Sequence, residues 1–330
     1  MSNKIDQQIK DDFENIFSNT WNEEKTRQYL IDIYNSGETA QQIAAAADVM
    51  REHSIKLPIE DSLKVQLVDN CGTGGDKSNS FNVSTTVSIL LSACGSKVAK
   101  HGNRSITSKS GSADMLESLG VNLTLDVAQQ VKMLQSTGFV FMFAVNHHPA
   151  MKYIMPIRKS IDHRTIFNIL GPLTNPASVE KQLIGVFDKA FVPKIAQALQ
   201  IIDTKKALVV SAADGMDEIS ISDITYATSL ENGELKDLII DPREYGLKLY
   251  DKKDIEGGDA NFNANITKDI LSGKTSGAKR DIVLINTAAA LWVDGKVNSI
   301  KDGVDMAKDA ISSGKAQAKL EEIIKVSNDI

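Results

Sequence analysis

DNCGTGGDKSNSFNVSTT (residues 69–86) places three glycines within four positions, follows them with an aspartate, and then leads Ser, Asn and Thr into an apolar stretch. Glycine-rich turns between a strand and a helix point to phosphate, because bare backbone N–H groups approach oxygens closely and a helix N-terminus favours negative charge. Two familiar versions fail here. A Walker loop needs Gly-Lys-Ser/Thr after four spacer residues, whereas Lys77 is preceded by Asp76. A Rossmann fingerprint begun at Gly72 requires a third glycine at position 77, where Lys stands, and an acidic residue about 20 positions on. GTGGD alone reads equally well as a tight turn at a sheet edge. The following NVSTT favours an anion site, since Asn82 or Ser84 can cap the next helix and face the same anion as the glycine amides.

The loop sits inside a pattern that decides the fold class. From Val65 onward short β-rich runs alternate with helical stretches: VQLVD, NVSTTVSILLSA, SKVAK, SADMLESLG, VNLTL, DVAQQVKMLQSTG and FVFMFA. That alternation predicts βαβ units, hence an α/β protein with a mostly parallel central sheet. Gly95, Gly120 and Gly138 each fall just past a helical stretch, where a left-handed cap belongs. KQLIGVF, a helix through Leu199 and KALVVSAA continue the alternation, and ITYATSLENGELKDLII reads as a hairpin about Glu231-Asn232-Gly233. The last fifty residues read as mostly helical.

Residues 1 to about 60 read as helices alone, with Thr39 and Gln42 at capping-box spacing and Pro58 as the terminator. HHPAMKYIMPIRKSIDHRTIFNILGPLTNP interrupts the alternation with helical spacing and carries four of the seven prolines, which suggests a crossover back onto the N-terminal helices. The expected division is therefore a small helical domain, 1–64 with the crossover at about 153–178, and a large α/β domain, 65–152 and 179–330.

Composition excludes several classes of function. A net charge of −6 repels nucleic acid, so any bound anion needs a local exception. The longest apolar run of strand type, Phe139 to Val145, is far below the roughly 20 residues that span a bilayer. The first residues mix both charges and lack a secretory h-region, and the two cysteines, Cys71 and Cys94, make no disulfide framework. A cytoplasmic protein is expected, with no membrane or nucleic-acid partner.

The local exception is KHGNRSITSKSGSAD. Lys100, His101, Arg104 and Lys109 fall within ten positions free of acidic residues, on an irregular Gly/Ser-rich loop between strand and helix. A charge cluster is usually a solvated face; this setting favours an anion pocket instead. DGMDEIS then places Asp217 and Glu218 after the strand ALVVSAA, where open α/β sheets bind ligands. Carboxylates converging on a polyphosphate need a divalent cation between them, and Mg²⁺ favours those oxygens.

GTGGD, FNVSTT, KHGNRS, SKSGSADMLESLG, HHPAMK, RTIFNILGPLTNP and DGMDEIS, in this order, resemble the anthranilate phosphoribosyltransferases of tryptophan biosynthesis over nearly the whole chain. The resemblance implies a homodimer with the active site between a small helical and a large α/β domain. It implies a Mg²⁺-dependent glycosyltransferase whose substrates are anthranilate and 5-phosphoribosyl 1-pyrophosphate. Carried over by motif, Gly72, Gly75, Asp76, Ser80, Asn82, Val83, Ser84 and Thr85 would bind the phosphoribosyl pyrophosphate. Lys100, His101, Gly102, Asn103, Arg104, Ser105, Ile106, Thr107, Ser108 and Ser112 would complete that pocket. Ser84, Asp217 and Glu218 would ligate the metal; Lys100, Asp217 and Glu218 would be the catalytic set; Gly72, Asn103 and Arg158 would contact anthranilate. His148 and Pro172 match positions near the aromatic substrate, although His148 also reads as a helix-start residue beside Pro149. His53 and His163 carry no expected role.

One departure stands out. The family has Leu-Gly-x-Arg before TIFN, whereas this chain has Ile161-Asp162-His163-Arg164, which places two polar side chains close in sequence to Arg158 and in question the geometry of the anthranilate site. The rival readings are a pyrimidine nucleoside phosphorylase, against which KHGNRS argues, and a non-catalytic binding protein on the same scaffold.

Overall fold

The computed structural model describes residues 4–104 and 109–330. Three helices open the chain: α1 (Gln7–Phe17), α2 (Glu23–Ser36) and α3 (Ala40–Glu52). The last begins with the expected capping box, Thr39 N–H to Gln42 Oε1 at 2.9 Å and Gln42 N–H to Thr39 Oγ1 at 3.2 Å. The helix stops at Glu52, capped by His53, and an irregular stretch containing Pro58 follows it. A short α4 (Asp61–Lys64) leads into the sheet.

The sheet has seven strands in the order β3-β2-β1-β4-β5-β6-β7. Strand β1 (Leu67–Asn70) is followed by α5 (Val83–Ala93), β2 (Lys97–Gly102), α6 (Ser112–Leu119), α7 (Val127–Thr137) and β3 (Phe139–Phe143). The crossover holds α8 (Ala144–His147), α9 (Met151–Lys159), α10 (Phe167–Leu170) and a 3₁₀ turn, Gly171–Thr174. Then come β4 (Lys181–Gly185), α11 (Phe191–Ile201), β5 (Lys206–Ala212), β6 (Thr225–Glu231) and β7 (Glu234–Ile240), and four closing helices: α12 (Ala260–Leu271), α13 (Ala278–Asp294), α14 (Ile300–Ser312) and α15 (Lys315–Asp329). Strands β1 to β5 are parallel; β6 and β7 form the expected antiparallel hairpin, turned at Asn232 (φ 52°) and Gly233 (φ 80°) as a two-residue loop requires.

Side-chain alternation covers both faces of the sheet. Val68, Val98, Leu183, Leu208 and Val210 pack under α5, α13 and the other closing helices. Ile184, Val186, Ala207 and Val209 face the opposite way and join one core with Phe13, Phe17, Ile43 and the crossover residues Ile154, Ile157, Ile161, Ile166 and Phe167. Phe17 and Phe167 meet edge to face with ring centres 5.8 Å apart. The crossover therefore does return to the N-terminal helices, as its helical spacing predicts.

VNLTL (121–125), expected as a strand, is an irregular connector. Local polar groups take its backbone: Asn122 N–H donates to Ser327 Oγ at 3.0 Å, and Thr124 N–H to Asn122 Oδ1 at 2.9 Å. Such side-chain bonding competes with a strand ladder. Among the described residues no helix is long and apolar enough to cross a membrane.

Strand order places the site. The chain passes from β1 to β2 and β3 on one side, then the crossover carries it back past β1 to β4 and β5 on the other. The reversal lies at β1/β4, and the carboxyl ends of parallel strands open there into a crevice.

Candidate active site

Leaving β1, the chain stays tethered to β4, through Cys71 N–H to the Leu183 carbonyl (3.2 Å) and Thr73 N–H to that of Gly185 (2.9 Å). Gly74 and Gly75 both take φ in the left-handed region, 70° and 75°, where L side chains are strained. Gly72 is glycine for a different reason: a Cβ there would run into the Asp217 carboxylate. That carboxylate, just past β5, accepts the Gly74 amide hydrogen at 2.6 Å. The Asp217 amide donates to Asp76 Oδ2 at 3.4 Å, and Asp76 Oδ1 accepts from Ser78 N–H at 3.2 Å. The loop after β1 and the turn after β5 are thus one hydrogen-bonded unit. Gly185, at the end of β4, lets the Asp217 backbone pass in direct contact.

The start of α5 forms the next wall. Asn82 occupies the N-cap position, but its side chain makes no capping bond. It is spent laterally instead, donating to the Ser110 carbonyl at 3.1 Å and accepting from Ser110 Oγ at 3.0 Å and Asn263 Nδ2 at 2.9 Å. Val83 N–H turns back to the Phe81 carbonyl at 2.7 Å, and the Ser84 amide next to it favours the charged form of the Glu218 carboxylate. Val83 and Thr85 are buried, and the Thr85 hydroxyl has no partner among the described residues.

Lys100, at 1% exposure, runs under this wall; its Nζ donates to the Asn70 carbonyl at 2.9 Å and to Ser84 Oγ at 3.4 Å. A buried lysine needs compensating charge, and here the neighbouring Asp69 supplies it. Burial lifts the Asp69 carboxyl to about 6, against the opposing pull of Lys100, Asn175 and the His101 amide. His101 is held by Nδ1–H donation to the Gly171 carbonyl at 3.0 Å, while its Nε2 is buried with no partner among the described residues. His148 stands 5.2 Å away, ring centre to ring centre, with both ring nitrogens in the same condition. Burial, followed by repulsion between the rings, pulls His101 down to about 3; burial and His147 pull His148 to about 4. Both are neutral imidazoles at physiological pH.

Asp217 and Glu218 carry the opposite perturbation. Burial first and Asp76 second raise Asp217 to about 7; burial and Asp217 raise Glu218 well above the carboxylate range, with Lys100 offsetting part of it. Such a pair lacks positive charge, and a hard divalent cation fits both the deficit and the oxygen donors of Asp217, Glu218 and Ser84. Among the described residues no cluster of three or more His, Cys, Asp or Glu groups is arranged as a self-sufficient metal site. A cation here would complete its shell with water and ligand oxygens, as magnesium in phosphate sites does.

At the end of β2, a Cβ on Gly102 would strike Ser112 and Phe141, so β2 and α6 touch. Asn103 N–H donates to Ser112 Oγ at 3.2 Å, and the Ser112 hydroxyl returns to the Asn103 carbonyl at 3.0 Å. Arg104 is not a free cation: Glu117 binds both its terminal nitrogens at 2.6 and 2.7 Å, and Asp114 adds a contact at 2.8 Å. The absence of acids within the KHGNRS window hid this pairing, because the acids lie beyond it, on α6. Ser105, Ile106, Thr107 and Ser108 lie outside the described residues. Ser80 bridges to Glu256 and accepts from the Ser78 hydroxyl at 3.1 Å.

Arg158, on α9, is half-buried and has no carboxylate partner among the described residues. Its Nη1 lies 3.7 Å from Met155 Sδ, its guanidinium 5.6 Å from the Phe167 ring centre, and burial lowers its pKa. His163 in the departing IDHR run stacks on Tyr34 at 3.7 Å between ring centres. Sequence reasoning gave no role to Asn70, whose side chain clamps α5 through the Ser84 carbonyl (2.8 Å) and Ser88 Oγ (2.6 Å), or to Asn175, which bonds Asp69 at 2.8 Å. Both stand inside quoted stretches, Asn70 just before GTGGD and Asn175 near the end of RTIFNILGPLTNP, but residue type alone does not reveal a clamp whose partners lie on other elements. Arg164 also went unread, although it stands in the run that departs from the family pattern.

The chain matches known proteins throughout. The family model described as "Glycosyl transferase family, a/b domain" matches residues 64–317. An anthranilate phosphoribosyltransferase of Methanobrevibacter smithii is 45% identical over 313 residues, 95% of this chain and 92% of that one. Among solved structures, anthranilate phosphoribosyltransferase from Thermus thermophilus is similar with a TM-score of 0.91 and 32% identity, covering 99% of this chain and 96% of that one. The Saccharomyces cerevisiae enzyme in complex with PRPP and Mg is similar with a TM-score of 0.83 and 29% identity, covering 93% of this chain and 86% of that one. With motifs, fold and relatives agreeing from the first helices to the last, the chain belongs to the anthranilate phosphoribosyltransferase family.

Proposed function

We propose that this chain transfers the phosphoribosyl group of 5-phosphoribosyl 1-pyrophosphate to the amine of anthranilate. The products are N-(5-phosphoribosyl)anthranilate and pyrophosphate, and the step is the second in tryptophan biosynthesis from chorismate. The observation that carries the reading is the joining of three distant segments into one cradle. Asp217 holds the Gly74 amide and its own amide meets Asp76, while Lys100 lies beneath both Ser84 and Asn70.

As pyrophosphate departs, positive charge develops on the ribose, so the transition state is oxocarbenium-like. Asp217, Glu218 and Ser84 would hold a magnesium ion, which would supply Lewis-acid neutralisation of the leaving group. The residues of the chain supply placement. The amides of Gly75, Asp76 and Thr85, which have no acceptor among the described residues, hold phosphate oxygens without reorganising at the moment of reaction. Lys100 keeps the Ser84 hydroxyl in place and balances the buried carboxylates.

The arylamine is already a neutral nucleophile and needs orientation more than deprotonation. Arg158, lacking a carboxylate partner among the described residues, suits the carboxylate of anthranilate. His101 shapes the loop, and His148 beside it, its ring nitrogens buried without a partner among the described residues, matches a family position near the same substrate. Gly72 and Asn103 complete its surroundings, with Asn103 set by its exchange of hydrogen bonds with Ser112.

The proposed organisation is a homodimer acting in the cytoplasm. Each subunit has a helical domain, 1–64 with about 153–178, and an α/β domain, 65–152 with 179–330; two free cysteines suit a reducing compartment. The experiment is to mix the protein with anthranilate, phosphoribosyl pyrophosphate and Mg²⁺ and follow anthranilate fluorescence. Loss of fluorescence that requires all three components is expected, and fluorescence that persists overturns the reading.

A further inference from the structure

Arg164 takes no part in the reading above, yet it joins the crossover segment to the glycine loop. Its Nη2 donates to the Gly75 carbonyl, and its guanidinium lies 3.6 Å from the ring centre of Phe187, just beyond β4. Among the described residues it has no carboxylate partner, so its directed hydrogen bonding is spent on the loop. Behind it, His163 Nδ1–H donates to the Arg164 carbonyl at 2.7 Å, and the imidazole stacks on Tyr34 of α2 at 3.7 Å and 19°. Tyr34, Arg164, Phe187 and Gly75 line one cleft of about 460 Å³, together with Asp76 and Lys77.

Two consecutive glycines in the left-handed region give this stretch of backbone unusual freedom, because each samples conformations closed to other residues. A peptide unit is planar and trans, so its C=O and N–H point in opposite directions. Fixing the Gly75 carbonyl toward Arg164 therefore fixes the Asp76 N–H toward the other side of the loop. Phe187 keeps the guanidinium plane in place by a stacked cation–π contact that an ammonium matches poorly.

We propose that Arg164 is a positioning residue for the glycine loop, anchored on Phe187 and backed by the His163–Tyr34 stack of the helical unit. It sets the loop in the orientation that receives the pyrophosphate end of phosphoribosyl pyrophosphate. The proposal rests on the reading that this loop holds that substrate. Preorganisation of this kind shows in binding. It belongs to the loop's ligand and not to anthranilate.

The test uses the full chain and steady-state kinetics in both substrates. Arg164→Met, which keeps an unbranched stem but has no donor, is expected to raise KM for phosphoribosyl pyrophosphate about tenfold, as loss of one charge-assisted bond predicts. The KM for anthranilate stays within about twofold and kcat within about threefold. Arg164→Lys, which can still reach a carbonyl, recovers part of the loss. Phe187→Leu shows a smaller rise of the same kind. Calorimetric binding of pyrophosphate with Mg²⁺ weakens in parallel, without reference to turnover.

An unchanged KM for phosphoribosyl pyrophosphate in Arg164→Met overturns the proposal, and so does a rise confined to anthranilate. If that variant fails to fold by circular dichroism, Arg164→Lys and Phe187→Leu decide the matter by the same split. Wild-type protein that never consumes anthranilate sinks the functional reading instead, and the pyrophosphate calorimetry still reports on the loop.

Discussion

The Asp217 carboxylate accepts the Gly74 amide hydrogen at 2.6 Å, so the turn after β5 holds a loop 143 positions earlier in the chain. The contact is close because glycines clear its path on two sides: neither Gly72 nor Gly185 leaves room for a Cβ against Asp217.

Substituting either glycine should act through Asp217. Gly72→Ala forces a methyl group into the carboxylate, and overpacking of this kind costs about 1–3 kcal/mol. A fall in kcat/KM of about tenfold to a hundredfold is expected. Gly185→Ala meets backbone and not a movable side chain, so it should also lower the melting temperature. Wild-type kinetics in Gly72→Ala would show that Asp217 is not where the chemistry needs it.

Asp217→Asn with Glu218→Gln should lower kcat by at least about tenfold and blunt the dependence on Mg²⁺, since the oxygens that attract the cation lose their charge. Stability should move the other way. A carboxyl whose folded pKa is raised to about 7 from 3.8 keeps a proton that the unfolded chain has released. Its contribution therefore falls as pH rises from about 4 to about 7. In metal-free buffer at pH 8 the double variant should resist urea better than wild type. Equal midpoints would contradict the buried-charge account.

Arg158→Ala should raise the KM for anthranilate about tenfold or more, the cost of a lost charge-assisted contact. KM for phosphoribosyl pyrophosphate should change little. Because Arg158 has no carboxylate partner among the described residues, the loss should not appear as a large fall in melting temperature. An effect on both substrates alike would place Arg158 elsewhere in the mechanism.

His101 and His148, with folded pKa values of about 3 and about 4, should give no ionisation between pH 6 and 9. Proton NMR of their ring C–H signals, assigned by substitution, should stay flat over that range, and kcat should show no histidine limb. Their folded values lie below the ordinary 6.5. The stability they contribute is complete above pH 6.5 and drains away as pH falls toward 4 and then 3, where the unfolded chain takes up protons first. Replacing His148 with Phe should reduce the acid sensitivity of the urea midpoint. A signal titrating near pH 6.5 would show an imidazole open to solvent.

Periodicity alone determined much of this protein. Alternation of strand and helix, the 3.6-residue spacing of the first fifty residues and the Asn232-Gly233 turn are local rules, and the chain obeys them wherever its backbone has no better partner. VNLTL failed because Asn122 and Ser327 satisfied its amides, an event 205 positions apart that no window of sequence contains. The three candidate segments were legible as motifs, since glycine amides and paired carboxylates announce their chemistry by residue type.

Partnership was decided by the tertiary structure. It gave Arg104 to Glu117 and Asp114, turned the Asn82 side chain away from its helix, and set Arg164 against Gly75. A side chain's charge and reach are written in the sequence. Which group meets it within hydrogen-bonding distance depends on strand order, which sets the ends of β2 and β5 on either side of the β1/β4 reversal, and electrostatic and hydrogen-bond energies are settled at that distance.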